Sequence, residues 1–128
     1  FKQTLVDSGI ADAIAGGIAD AAIPPLLAGW IVAVLIRLAT GSATVATITA
    51  GGIMAPLAAG LSVNETALLV LAIGAGSVFF SHVNDAGFWL VKEYFGMTVG
   101  QTFKTWSLME TVLSVTGLVC VLLLNLVV

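Results

Sequence analysis

The string Ser81-His82-Val83-Asn84-Asp85 sets an imidazole three residues from a carboxylate, with Ser81 and Asn84 supplying neutral hydrogen-bonding groups around them. His82 or Asp85 can carry a proton that is handed on, and Ser81 and Asn84 can hold a polar ligand beside it. The same residues have a plainer use. Asn84 or Asp85 can cap a following helix, and His82 can be a satisfied hydrogen-bonding group. One His and one Asp are too few ligands for a metal ion, and no second cluster accompanies them, so neither a metal nor a cofactor is expected.

A second string, Arg37-Leu38-Ala39-Thr40-Gly41-Ser42-Ala43-Thr44-Val45-Ala46-Thr47, joins a glycine break, several hydroxyls and the start of a new helix. The unpaired N–H groups and positive dipole end of a helix N-terminus suit a carboxylate. Ser42, Thr44 and the backbone at Thr40 and Gly41 are placed to hold one, and Thr44, Thr47 and Gly51, at i, i+3 and i+7, share a small polar face. Helix packing explains the composition differently, since Ser and Thr join helices and Ala43, Ala46 and Ala50 form a small-residue stripe. Arg37, one turn before the break, has two readings as well. It either pairs with an anionic substrate, or it snorkels or offsets the helix dipole while paired to an acidic residue.

The elements that position these strings must sit in lipid. The 128 residues are 59% hydrophobic and 9% charged, with a mean hydropathy of +1.14, whereas a soluble domain carries about 25% charged residues. Four basic against seven acidic residues, net −3, make no positive field for nucleic acid. The single cysteine, Cys120, excludes a disulfide or thiolate cluster within the chain. Phe1 stands where a start methionine would, and no signal-peptide pattern follows, so the reading expects a piece of a longer chain.

The expected fold class is an all-α membrane protein. Residues 1–22 read as an interfacial amphipathic helix, with Ile10, Ile14 and Ile18 on one side and Asp7, Asp12 and Asp20 elsewhere. Residues 23–61 read as a re-entrant hairpin entered at Pro24-Pro25. Its first arm, Pro25 to Thr40, reaches only about 24 Å against a hydrocarbon core about 30 Å thick. Its second arm runs from Ala43 to about Ala59, so the tip Thr40-Gly41-Ser42 lies at a depth where irregular backbone needs protein or a cavity beside it. Residues 64–96 read as a transmembrane helix broken between Gly74 and Asp85, resuming to Phe95 and stopped by Gly96. Residues 104–128 read as a C-terminal transmembrane helix entered at Lys104 and Trp106, with Glu110 interfacial. Lys92 and Lys104 place the preceding link in the cytoplasm, which opens the hairpin to the periplasm.

No nucleophile elbow, Walker loop, zinc motif or dinucleotide fingerprint appears, so no enzyme is expected. On Phe1-Lys2-Gln3, Val6-Asp7-Ser8-Gly9, the string from Arg37 to Ala46 and the string from Ser81 to Trp89, the chain resembles the gluconate permease family of gluconate:proton symporters, related to the ion transporter superfamily. The resemblance implies secondary active transport of gluconate or a related small sugar acid across the bacterial inner membrane. It implies a multi-pass carrier several times this length, built from two inverted repeats, of which this stretch is the end of the second.

The implied partners are a gluconate-like anion, protons, the lipid bilayer, the remainder of the same carrier and, in a homo-oligomer, further copies. Position in the chain assigns substrate binding to Arg37, Thr40, Gly41, Ser42, Thr44, Thr47, Ser81 and Asn84, and proton coupling to His82 and Asp85. Sodium coupling, another small organic or amino acid as substrate, and a non-transporting assembly module stay open as alternatives.

Overall fold

Helix α1, Pro25–Thr40, begins where two prolines remove N–H groups that would have no partner in a first turn. The computed structural model describes residues 23–127 and, ahead of them, only Gly9, Ala13, Gly16 and Gly17; the amphipathic helix expected over 1–22 lies outside the described residues. Helix α1 ends at Gly41, whose φ of 70° is the left-handed conformation that favours glycine. The Gly41 N–H donates to the Arg37 carbonyl at 2.8 Å. Ser42 then turns extended and caps α2, Ala43–Ala58, its Oγ accepting the Val45 N–H at 3.3 Å.

A reciprocal cap of Ser62 and Glu65 opens α3, Val63–Ser77. The Ser62 N–H donates to Glu65 Oε2 at 2.9 Å, and the Glu65 N–H donates to Ser62 Oγ at 3.2 Å. Helix α3 stops at Ser77, the chain runs irregularly over 78–85, and Asp85 caps α4, Ala86–Tyr94. A glycine at φ 59°, Gly96, turns the chain away. Thr98 and Gln101 form another reciprocal cap and open α5, Val99–Leu124, whose second turn, Phe103–Ser107, is π-helical.

The described residues are all-helical, with α3 in the middle, touching α1, α2 and α5. Close approach explains why the core is so rich in small residues. Ala33, Ala46, Ala50 and Ala72 are wholly buried, beside Leu69, Ile53 and Met54. A Cβ on Gly76 would lie 2.5 Å from the Trp30 carbonyl oxygen, so α3 meets the backbone of α1 directly. Helices in lipid gain little from hiding apolar surface, and depend on such tight van der Waals contact.

Helix α5, 26 residues long, rises about 39 Å, more than the roughly 30 Å of a hydrocarbon core. Among the described residues it is the one helix long and apolar enough to cross alone. Its outer face exposes Leu108, Met109, Val112, Leu113, Val115 and Val119, a surface suited to acyl chains and not to water. Helices α1, α2 and α3, of 16, 16 and 15 residues, span only about 22–24 Å.

Candidate functional site

The turn between α1 and α2 and the irregular segment before α4 meet at Arg37. Its side chain is 4% exposed, and three elements converge on it. Nη1 donates to the Gly41 carbonyl at 2.5 Å, which ties the guanidinium to the turn. Nη2 donates to Asp85 Oδ2 at 2.6 Å and to Glu110 Oε2 at 3.2 Å. The two carboxylates are 14% and 13% exposed. One cation therefore faces two acids in a site with little water, where charge interactions are stronger than at a surface. Arg37 Nε is buried and has no hydrogen-bond partner among the described residues.

Ser81 fixes the acid from the other side. Its hydroxyl donates to Asp85 Oδ2 and accepts the Trp106 indole N–H at 3.0 Å, while its carbonyl accepts the Ser107 hydroxyl. Trp106 and Ser107 belong to the π-helical turn of α5, and such turns often occur at functional sites. Asp85 Oδ1 accepts the Gly87 N–H at 2.8 Å, so the cap and the ion pair share one side chain. Asn84 reaches back across the interface, donating from Nδ2 to the Leu38 carbonyl at 2.9 Å and so satisfying an end carbonyl of α1.

Arg37, Gly41, Ser81, Asn84 and Asp85 are thus brought together. His82 is not joined to them: its Nδ1 lies 3.2 Å from the Phe80 carbonyl, and its ring sits 5.9 Å from that of Phe80. Phe80 has φ 37°, a sparsely populated conformation for a residue with a side chain, and stacks on Phe103 at 6.0 Å. Thr40 serves the turn, donating to the Ile36 carbonyl at 2.8 Å. The capping bond leaves the Ser42 hydroxyl hydrogen free to donate. Thr44 and Thr47 lie on an exposed face of α2, with Thr47 donating to the Ala43 carbonyl at 2.9 Å. The first-turn N–H groups of Ala43 and Thr44 have no intrahelical acceptor.

Glu110 is the participant that sequence reading assigned to the membrane interface. That reading started the last helix near Lys104; the Thr98–Gln101 cap starts it at Val99. Glu110 then lies about 17 Å along α5 by the standard rise, about three turns past the start of that helix. Its signal in the sequence was an acidic residue within an apolar helix, which marks a candidate functional group. Trp106, read as an interfacial anchor, points its N–H at Ser81. Trp30 donates to Ser114 Oγ at 3.1 Å and packs edge-on against Phe79.

Comparison with known proteins bears on the whole length. The chain is 58% identical to a high-affinity gluconate transporter of Escherichia coli over 100% of its own residues and 29% of that protein's. It is 60% identical to a gluconate permease of Pseudomonas aeruginosa, over 99% of its residues and 28% of the relative's. An L-idonate transporter of the Gnt-II system of Escherichia coli is 52% identical, over 98% and 28% respectively. The chain thus spans under a third of the length of these curated relatives. No solved structure matches it. Residues 1–127 match the family described as GntP family permease, and the chain belongs to that family of membrane proteins.

Proposed function

We propose that this chain forms part of a secondary active carrier that moves gluconate or a closely related sugar acid across the bacterial inner membrane together with protons. The observation that carries the reading is the interlock of the Gly41 turn with the Ser81–Asp85 segment around Arg37. Irregular polar backbone from two elements meets there, in an otherwise apolar chain, as it does at the ligand sites of many carriers. Relatives named for gluconate and for L-idonate support a hexonic acid as substrate, and they leave room for variation in its stereochemistry.

In this reading α1 and α2 form a re-entrant hairpin, and α3 with α4 forms one interrupted transmembrane helix of a multi-pass carrier with inverted repeats. The turn presents the substrate carboxylate with the Ser42 hydroxyl, the first-turn N–H groups of α2 and the Thr44–Thr47 face, while the remainder of the carrier closes the other side. Thr40, Gly41, Ser81 and Asn84 hold the backbone of the site in place. Arg37 contributes its positive charge, and proton coupling falls on one of the ionisable groups at the break or in the Arg37 cluster, Asp85, His82 or Glu110.

Uptake by membrane vesicles bearing a complete carrier that contains this chain tests the proposal, using labelled gluconate, idonate and amino acids under imposed pH or sodium gradients. The expected result is accumulation of the sugar acids driven by an inward proton gradient. Accumulation driven by sodium alone, or selective for amino acids, would overturn it.

A further inference from the structure

We propose that the coupled proton resides on Glu110, with Asp85 remaining ionised and paired to Arg37 while Glu110 is protonated. This rests on the symport reading above and names the group that reading leaves open. Asp85 is the more heavily engaged of the two acids. Oδ2 takes donors from Arg37 and Ser81 and Oδ1 takes the Gly87 N–H, three donors that all favour the ionised form. Glu110 meets the same guanidinium through Oε2 at 3.2 Å, longer than the 2.6 Å of Asp85, and faces the Ser81 backbone beside it.

The charge balance points the same way. Arg37, Asp85 and Glu110 together carry one positive and two negative charges when all are ionised, and a single proton makes the group neutral. Burial favours that neutral form, and two acids sharing one cation titrate as a unit.

No other charged group among the described residues competes for Glu110. From α4, Lys92 pairs with Glu93 at 2.6 Å. From α3, Glu65 is engaged with Ser62 in the cap at that helix's start. From the 78–85 segment, His82 is turned to the Phe80 carbonyl. On α5 itself, Lys104 is exposed, more than a turn before Glu110.

Releasing the proton has a mechanical consequence. Arg37 Nε is buried without a partner among the described residues, and Nε with Nη2 forms the side-on fork that a carboxylate grips through both oxygens. Ionised Glu110 competes for that fork and draws the guanidinium from Asp85 and from the Gly41 carbonyl, the two contacts that join the turn to the break. Only the carboxyl O–H bond breaks, the proton passing to water on one side of the membrane and returning from the other. Occupancy of Glu110 thereby sets how firmly the turn is held.

The test is Glu110→Gln, a mimic of the protonated acid, in the complete carrier reconstituted in vesicles. For one proton per anion, a gradient of one pH unit drives about tenfold accumulation of gluconate in the wild type. The variant is expected to lose nearly all of that tenfold while gluconate counterflow, which needs no net proton movement, falls far less. Wild-type accumulation by Glu110→Gln would overturn the assignment and leave the transport reading standing. Failure of the wild-type carrier to accumulate any sugar acid would overturn both. Glu110→Asp provides a second reading should the Gln variant not assemble: accumulation persists with a displaced pH profile, and an undisplaced profile counts against Glu110.

Discussion

Gly41 and Asn84, far apart in the chain, approach so closely that a Cβ on Gly41 would lie 2.3 Å from the Asn84 carbonyl oxygen and 2.6 Å from its carbon. The turn between α1 and α2 and the segment before α4 are therefore joined backbone to backbone. The Asn84 side chain adds a bond to the Leu38 carbonyl at 2.9 Å, and Arg37 ties the Gly41 carbonyl to Asp85.

Gly41→Ala is expected to destabilise this junction twice over. The residue sits at φ 70°, where a side chain costs about 1–2 kcal/mol. Its methyl group then meets backbone that cannot rotate away, which adds about 1–3 kcal/mol. Thermal melting of the complete carrier in detergent checks this, and a melting profile equal to the wild type would mean that turn and break do not touch there.

Removing the cation should be worse than removing one of its acids. Arg37→Gln leaves Asp85 and Glu110 facing each other without a positive charge, and loss of one partner of a buried ion pair costs about 3–5 kcal/mol. Asp85→Asn leaves Arg37 paired to Glu110 and should cost less, about 1–3 kcal/mol. Melting temperatures of the two variants in parallel test the order. Equal or reversed losses would contradict a three-membered cluster.

Affinity and stability should separate on the exposed face of α2. Thr44→Val and Thr47→Val alter side chains that pack against none of the core, so stability should change by no more than about 0.5 kcal/mol. If these hydroxyls contact a sugar acid, losing one bond to a charged group should weaken gluconate binding about tenfold. Equilibrium binding and melting on the same samples decide the matter, and unchanged affinity in both variants would remove this face from the site.

The sequence alone determined the local features, because each depends on residues near one another in the chain. Pro24-Pro25 marked the start of α1, Gly41 its end, and Gly96 the stop after α4. Short apolar arms and hydroxyl-rich breaks were legible from composition and helical rise, and Asp85 was legible as a cap. The Thr98–Gln101 cap was present in the sequence too, as a Thr followed three residues later by Gln, but the lysine and tryptophan downstream were read as the helix entrance. That one displaced boundary put Glu110 near the helix entrance, whereas the structure has it about three turns in.

Only the tertiary structure decided which charges meet. Arg37, Asp85 and Glu110 lie on three separate elements, and no spacing rule relates residues brought together by packing around α3. Arg37 was equally readable as a substrate contact and as a structural partner until its two acids were placed beside it. His82 and Asp85, three residues apart, were each readable as the proton carrier, yet the irregular backbone at Phe80 directs them to different partners. Side-chain direction in an irregular segment follows the local φ and ψ and the neighbours that hold them, and proximity in the chain does not supply either.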